Sequence, residues 1–398
     1  MDAHMKLVMT LVVRNEADII EANIDYHLAQ GVDFVLVTDH GSSDGTAEIL
    51  ARYEREGVAQ IIRDDREGHR QSERVNRMVR IAAERYSADW VINSDADEFW
   101  WPLAGSLRDV FESIPDEFGQ IAVRLRHFLP RVDDSGEFYA RLLYRESESL
   151  DLYGSPTLPK VAHRPHRDVR VAPGNHALLV DGLRMVPAGE LIEILHFPMR
   201  DFEQFERKVL QTGLGYEQLG PDSPEVGRDQ ILLLEMHRSG QLPSYFHGRM
   251  LDEESTERGL RDGSVVFDDR LARFMTTLRE DALPHTRPDS AHARVLFQRT
   301  LQTLFELERC QWDLMQREQQ LMQREREFMQ RERELASAND EIRALGEARD
   351  ARQTQAADLS GRLDIAQQAL DALRGSRLLR WTAPARRAYY RARGNLRR

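Results

Sequence analysis

Apolar runs alternate with amphipathic stretches along the first hundred residues of the chain. The runs predict strands, because a parallel strand that is covered on both faces is apolar throughout; they are Leu7–Val13, Phe34–Thr38, Ala59–Arg63 and Trp90–Ser94. Apolar residues at helical spacing predict helices between them, near 19–28, 46–56 and 71–86, the first with Asn15 as its N-cap. This alternation is typical of a mostly parallel α/β sheet, in which ligands bind outside the carboxyl ends of the strands.

The pattern changes after this region. Residues 120–198 are more β-like and irregular, Phe202–Leu210 has the spacing of a helix, and residues 211–290 are rich in Gly, Pro, Asp and Ser. After Ala291 no proline occurs before Pro384, which predicts one long helix. We therefore predict four parts: a catalytic domain at 1–210, a helical and irregular extension at 211–290, a long helix at 291–373, and a basic aromatic tail at 374–398.

The long helix carries a heptad pattern. Apolar residues recur at seven-residue spacing and later return to the same phase, at Leu307, Leu314, Leu321, Phe328, Leu335, Ile342, Leu363 and Leu370. Arg317, Arg324 and Arg331 occupy the second seam position, so the segment is either a weak coiled coil or a charge-laced single helix. We expect self-association of the chain through residues 300–373.

Polar clusters follow three of the predicted strands. Arg14-Asn15-Glu16 follows the first, the loop Asp39–Gly45 follows the second, and Asp95-Ala96-Asp97 follows the fourth. Two carboxylates one residue apart can bind a hard divalent cation and bridge it to phosphate oxygens. Taken alone, an Asp-x-Asp cluster is more often a solvated turn than a metal site, and Asp44 in the loop is an N-cap of the next helix. The apolar strand before Asp95 and the aromatic Phe99-Trp100-Trp101 after it favour a metal site.

Charge and composition restrict the function classes. The 398 residues are 41% hydrophobic and 31% charged, with a net charge of −12. Nine arginines and no acidic residue lie between Arg374 and Arg398, so the rest of the chain is strongly acidic. An acidic body argues against a nucleic-acid-binding protein. Cys310 is the only cysteine, and no apolar run is long enough to span a bilayer. We expect a cytoplasmic enzyme, or one peripheral to the inner face of the plasma membrane.

The series of motifs resembles glycosyltransferase family 2. The matching pieces are Val13-Arg14-Asn15-Glu16, Thr38–Thr46 and Asn93–Glu98; Gly174-Asn175-His176, Leu195-His196-Phe197-Pro198 and Phe202–Phe205 resemble one bacterial subgroup. The resemblance implies a GT-A fold, a nucleoside-diphosphate sugar donor and transfer with inversion. It also implies Mn²⁺ or Mg²⁺ as cofactor, with Asp39 holding the nucleoside, Asp95 contacting ribose or metal-bound water, and Asp97 ligating the metal. His40 stands where many relatives have a second Asp, which leaves the identity of the nucleotide open.

Further site residues are candidates on weaker grounds. His196 is either a third metal ligand beside Asp95 and Asp97 or a structural hydrogen-bonding residue. The general base that inverting transfer needs is sought among Glu98, Glu193 and Asp168. The residues considered for the donor site are Arg14, Asn15, Glu16, Asp39, Asp44, Asp95, Lys160, Arg164 and His176; the last three are equally ordinary surface charge.

The C-terminal tail interleaves arginine with Trp381, Tyr389 and Tyr390. Such a segment suits the headgroup region of an anionic membrane, and its Ser-Arg-Leu-Leu-Arg-Trp run resembles the endings of bacterial envelope-polysaccharide glycosyltransferases. A glycan or lipid-linked acceptor follows from that resemblance; a disordered cationic tail is the alternative. Two other functions stay open. A sugar-phosphate nucleotidyltransferase normally has a glycine-rich loop after its first strand, which is missing here, and a catalytically silent coiled-coil scaffold would not need the Asp95–Asp97 pair.

Overall fold

The structure is a computed structural model. It describes residues 5–66, 71–132, 136–166, 168–180, 182–187, 191–218, 227–280, 291–375 and 377–394. Parts of the predicted extension (219–226 and 281–290) and of the tail (376 and 395–398) lie outside the described residues.

Strands and helices alternate in the first hundred residues and then give way to shorter strands followed by helices. The strands are β1 Leu7–Val13, β2 Phe34–Asp39, β3 Ala59–Arg63, β4 Trp90–Ser94, β5 Glu98–Pro102, β6 Gln120–Val123, β7 Leu125–His127, β8 Tyr144–Glu146, β9 Lys160–His163, β10 Met185–Pro187, β11 Ile192–His196 and β12 Val265–Phe267. The helices are α1 Ile20–Ala29, α2 Thr46–Arg55, α3 Gln71–Glu84, α4 Leu107–Ser113, α5 Phe138–Arg141, α6 Phe202–Glu217, α7 Arg228–Arg238, α8 Leu242–Arg249, α9 Glu253–Asp262, α10 Arg270–Glu280, α11 Ala291–Gly375 and α12 Arg377–Gly394.

A seven-stranded mixed sheet carries the site. Its order is β10-β6-β9-β4-β1-β2-β3, and β4, β1, β2 and β3 are mutually parallel, whereas β9 runs antiparallel between β4 and β6. A smaller sheet pairs β11 with β5 and β7, which brings His196 opposite both Glu98 and His127. The parallel order places the ends of β1, β2 and β4 at one edge, as the sequence predicted.

Both faces of the sheet are covered. Along β1, Leu7, Met9 and Leu11 pack into a core with α1, α2 and α4, while Val8 points to the other face, against α3. The largest buried side chains include Trp90 and Trp100. The expected α/β class, with a mixed sheet and a long C-terminal helix, is confirmed.

Two predicted helix boundaries differ from the structure. Helix α1 begins at Ile20, not at Asn15, because Asn15 has φ +56 and its side chain accepts a hydrogen bond from the Ser43 backbone N–H across the neighbouring loop. Helix α6 extends beyond Leu210 to Glu217. Gly213 does not end it: an added Cβ there would lie 2.8 Å from Leu234 Cβ, so this glycine allows α7 to pack closely.

The segment after α6 packs back onto the first sheet region. Strand β12 pairs with β8, and in α10 Phe274 lies with its ring centroid 5.1 Å from that of Tyr26. Leu271 and Met275 of the same helix belong to the main core. These residues are part of the first of two compact units, Met1–Arg309 and Cys310–Arg398.

The long helix α11 exposes its heptad residues wherever its side chains are described. Leu321, Phe328, Leu335 and Ile342 are between 61% and 67% exposed. Across the described residues, no helix combines the length and the apolar character that crossing a membrane requires.

Candidate functional site

A cleft of about 1440 Å³ opens at the carboxyl ends of β1 and β4. One wall, which we call the sheet side, is formed by strand ends and the loops that follow them. The other, which we call the helix side, is formed by α6, the start of α7 and the segment 150–158. Of the residues predicted from the sequence, those that line the cleft are Arg14, Glu16, Asp95, Asp97, Glu98, Lys160, His176 and His196.

Asp95 directly follows β4 and is held by three donors. Lys160 Nζ lies 2.5 Å from Asp95 Oδ2, and the side-chain amides of Gln71 and Asn175 donate to Oδ1 at 3.2 and 3.4 Å. Asn175 has φ +61, and its own Oδ1 is buried without a partner. These contacts fix the carboxylate at the edge of the sheet.

Asp97 is 1% exposed, and its side chain meets two cationic or ionisable groups. The Lys208 ammonium forms an ion pair with Asp97 Oδ2, and His196 Nε2 lies 3.4 Å from the same oxygen. Burial alone would raise the pKa of Asp97, but Lys208 and His196 hold it well below its usual value. The carboxylate is therefore ionised at neutral pH.

Glu98 and Lys160 form a second buried pair next to Asp95. Lys160 Nζ is 2.8 Å from Glu98 Oε1, and the Asp95 backbone N–H donates to Glu98 Oε2 at 3.0 Å. Burial raises the pKa of Glu98, against the lowering effect of Lys160. Burial lowers the pKa of Lys160, but Asp95 and Glu98 more than offset this and raise it. Lys160 is thus a fixed positive charge between two carboxylates.

A buried arginine joins the two walls. Arg200, between β11 and α6, is 1% exposed; its guanidinium binds Glu16 Oε2 at 2.6 Å and Asp18 Oδ2 at 2.5 Å. Its backbone N–H donates to Gln204 Oε1 at 3.0 Å. Glu16 and Asp18 follow β1, so this network fixes the start of α6 against the end of β1.

The loop after β2 is held mainly by its own side chains. Asp39 Oδ1 accepts from the Ser42 backbone N–H at 3.0 Å and from the Ser42 hydroxyl at 2.6 Å. Asp44 accepts from Thr46 and from the Ala17 backbone N–H at 3.1 Å. The N-cap residue of α2 is Gly45, with φ +103, rather than Asp44. Among the described residues that line the cleft, this loop contributes His40 and Gly41.

Three other predicted residues lie away from the cleft lining. Glu193 binds Arg126 at 2.8 Å and Arg270 at 2.5 Å; burial alone would raise its pKa, but the two arginines lower it. The Arg164 side chain donates to the backbone oxygens of Phe118 and Ile114. Asp168 is exposed, with its carboxylate 3.9 Å from His166.

Residues that the sequence motifs did not indicate also line the cleft. Lys208 and Tyr216 come from α6, and His127, at the end of β7, has its ring centroid 4.8 Å from that of His196. Burial, followed by the effect of His196, holds the pKa of His127 well below its usual value.

His176, which the motifs did indicate, is a second histidine of the cleft whose pKa is lowered. Burial lowers this pKa to about 4, and His176 Nδ1 lies 3.0 Å from the Pro159 backbone oxygen. Both imidazoles are neutral at pH 7.

The helix side of the cleft is apolar and open. Leu158 is 63% exposed, Tyr153 50% and Leu214 43%. The Arg228 guanidinium lies 4.3 Å from the centroid of the Tyr153 ring. The exposed side chains of this wall offer apolar contacts, and the Arg228 cation lies beside them.

The donor atoms at Asp97 and His196 fit a divalent cation bound together with a nucleotide. A 3.4 Å separation between Asp97 Oδ2 and His196 Nε2 is compatible with two ligands of one ion. His196 Nδ1 is buried and unpartnered. Within the described ranges, no cluster of three or more His, Cys, Asp or Glu residues fits a metal ion. Mg²⁺ commonly binds through one or two carboxylates plus phosphates and water, so two protein ligands are enough.

Residues 9–166 match the sequence model of glycosyltransferase family 92. No curated protein matches the chain. Solved structures align with low similarity. Staphylococcus aureus TarS is 13% identical over 52% of this chain and 39% of that chain, with a TM-score of 0.30, so the alignment spans about two fifths of that relative.

Two ligand-bound structures also align. The structure of S. aureus TarS residues 1–349 with UDP-GlcNAc is 13% identical, over 53% of this chain and 66% of that chain, with a TM-score of 0.34. The mannosyltransferase PcManGT from Pyrobaculum calidifontis, in complex with GDP-Man and Mn²⁺, is 15% identical over 76% of this chain and 86% of that chain, with a TM-score of 0.32. The family match covers the chain from β1 to β9, including Asp95 and Asp97, and this region therefore resembles a glycosyltransferase domain, as its motifs predicted.

Proposed function

We propose that the chain transfers a sugar from a nucleoside-diphosphate sugar to an acceptor hydroxyl, with inversion and with Mn²⁺ or Mg²⁺. The observation that carries this proposal is the buried Asp97 carboxylate at the end of β4, with His196 3.4 Å away, in a large cleft. The UDP-GlcNAc and GDP-Man complexes of the similar structures fit the same donor class. The finer resemblance to family 2 remains our prediction.

Asp97 and His196 are the residues that we propose to hold the metal, with Asp95 beside them. A bound divalent ion supplies positive charge to the leaving diphosphate. Among the residues of the chain, Lys160 holds Asp95 in place, and Arg14 and His176 line the cleft near the expected phosphates. Asp39 and the loop that it organises are proposed to hold the nucleoside.

Among Glu98, Glu193 and Asp168, Glu98 is the carboxylate that lines the cleft, and we retain it as the candidate base. Burial raises its pKa, which makes it a stronger base than an exposed glutamate. The role requires Glu98 to exchange its contact with Lys160 for the acceptor hydroxyl.

The acceptor is proposed to lie on the helix side, where Leu158 and Tyr153 are exposed. A glycan with a lipid or other apolar portion, as in bacterial envelope synthesis, suits this wall. The basic helix α12, with Tyr389 and Tyr390 exposed, is proposed to contact an anionic membrane surface, and the exposed heptads of α11 to pair with a second copy of the chain.

The test follows release of nucleoside diphosphate from a panel of nucleotide sugars with Mn²⁺. We expect one donor to be hydrolysed slowly, EDTA to abolish turnover, and Asp97→Asn to reduce it by about 10²-fold or more, because the metal contributes several kcal/mol to the barrier. Asp350→Asn, on an exposed part of α11, is the matched control and keeps full turnover.

Equal turnover in Asp97→Asn and in the wild type would reject the metal assignment. If no donor is hydrolysed and calorimetry detects no binding with Mn²⁺, the donor site itself is wrong and the silent-scaffold alternative takes its place. Formation of pyrophosphate from a nucleoside triphosphate and a sugar phosphate would favour the nucleotidyltransferase alternative.

A further inference from the structure

Lysine is rare in this chain, and two of its lysines lie in the donor site. Of the 55 basic residues only Lys6, Lys160 and Lys208 are lysines; the rest are arginines. Lys160 binds Asp95 and Lys208 binds Asp97. An ammonium is a compact point charge, whereas a guanidinium is a broad planar fork. Lysine therefore stands at the two positions where the partner is a carboxylate of the Asp95–Asp97 pair.

The two lysines differ in how firmly they are held. The Lys160 side chain is 5% exposed, comes from a central strand and binds two carboxylates, Asp95 and Glu98. The Lys208 side chain is 34% exposed and comes from helix α6 at the edge of the cleft. Its second carboxylate, Glu16, is 3.9 Å away and already binds Arg200 at 2.6 Å. Lys208 is the cation that can leave.

Lys208 occupies the oxygen that a metal ion would need. Its ammonium contacts Asp97 Oδ2, and this oxygen also faces His196 Nε2. A divalent ion and an ammonium at one carboxylate oxygen repel each other strongly, because the site is buried and weakly screened. Metal binding at Asp97 and His196 therefore displaces the Lys208 ammonium.

A displaced Lys208 needs a new anionic partner inside the cleft. The donor diphosphate brings that charge, and it enters together with the metal. Resting on the proposed donor site, we propose that Lys208 is an exchangeable counter-cation: it neutralises Asp97 while the site is empty and binds the donor diphosphate once the metal has taken Asp97.

This exchange makes the metal and the nucleotide bind cooperatively. Metal alone must break the Lys208–Asp97 pair without compensation, whereas metal with a diphosphate gives Lys208 a new partner. By linkage, each ligand strengthens the binding of the other by the same factor. Lys208 is thus a donor-binding residue that also couples metal binding to nucleotide binding.

The experiment measures binding by calorimetry, independently of turnover. Mn²⁺ alone, UDP or GDP alone, and each nucleotide with Mn²⁺ are titrated into the full-length wild type and into the variants Lys208→Met and Lys208→Arg. We expect Lys208→Met to bind Mn²⁺ alone about tenfold more tightly and the Mn²⁺–nucleotide pair about tenfold more weakly, as expected when one charged partner is removed. Lys208→Arg keeps the charge and restores nucleotide binding. Lys6→Met, which removes the exposed third lysine, changes neither affinity.

Each other outcome has a definite meaning. If both affinities fall together in Lys208→Met, Lys208 is only structural and the exchange is wrong. The exchange is also wrong if neither affinity changes. If the wild type binds UDP or GDP equally well with and without Mn²⁺, Lys208 takes the place of the metal, which also rejects the exchange. If the wild type binds neither nucleotide under any condition, the proposed donor site fails, and the exchange fails with it.

Discussion

The two walls of the cleft are built in opposite ways. On the sheet side Asp97, Glu98 and Lys160 are buried and paired by charge. On the helix side Leu158 and Tyr153 are at least half exposed, and the Arg228 guanidinium stacks on the Tyr153 ring. The first wall is dry and preorganised, whereas the second is open and apolar.

This difference corresponds to the two substrates of the proposed transferase. Preorganised charges in a buried site interact strongly because little water screens them, and they suit a ligand whose charge is always the same, such as a diphosphate. An exposed apolar wall can be buried by partners of varying size and shape. We therefore expect changes on the sheet side to affect folding and the donor, and changes to the exposed apolar residues of the helix side to affect the acceptor alone.

The largest effect is expected at the residue that joins the two walls. Arg200→Met leaves Glu16 and Asp18 without their cation, and removing one partner of a buried ion pair costs about 3–5 kcal/mol. Urea unfolding measures this loss in the free energy of unfolding. Arg207→Met, on the adjoining helix α6 and paired with Glu203 at 3.5 Å, is the control, and it changes stability by less than about 1 kcal/mol. Equal losses in the two variants would show that Arg200 does not hold the walls together.

The second largest effect is expected from lowering the pH, which should reduce the free energy of unfolding through His27. His27, under β5, has Nδ1 2.8 Å from the Asn23 backbone oxygen, and its Nε2 accepts a hydrogen bond from the Trp100 backbone N–H at 3.3 Å. Protonation of Nε2 would therefore break the hydrogen bond to Trp100. Burial lowers the pKa of His27 from 6.5 to about 4. The unfolded chain therefore binds the proton first, and the contribution of His27 to stability, complete above pH 6.5, is lost as the pH falls towards 4.

The matched measurement compares the free energy of unfolding at pH 6.5 and pH 5 for the wild type and for His27→Gln. We expect the wild type to lose about 2 kcal/mol more than the variant over this interval, since one proton changes stability by about 1.4 kcal/mol per pH unit. An identical pH dependence in both proteins would mean that His27 is protonated in the folded state.

The same two walls mark what the sequence could and could not predict. Strands β1 to β4 and the carboxylates of Asp95 and Asp97 were predictable because a buried strand and the polar cluster that ends it are local patterns. The contact of Lys208 with Asp97 joins residues 111 positions apart, and α6 was expected to end at Leu210. Asn15 was misassigned as a helix cap because its positive φ depends on the neighbouring loop. The scarcity of lysine was the one sequence signal that could have found Lys208.

The smallest effect is expected on the helix side, and it tests the separation of the two walls most directly. Leu158→Asn removes apolar surface from the proposed acceptor wall, and losing most of the burial of one leucine costs about 1.5 kcal/mol, or roughly a tenfold rise in the acceptor KM. Hydrolysis of the donor without acceptor should not change, because Leu158 contributes nothing to the charged wall. Leu103→Asn, at a 48% exposed leucine outside the cleft lining, should leave both rates unaltered. If Leu158→Asn slows donor hydrolysis as much as transfer, the two walls act as one site, and the acceptor must be sought along the sheet side instead.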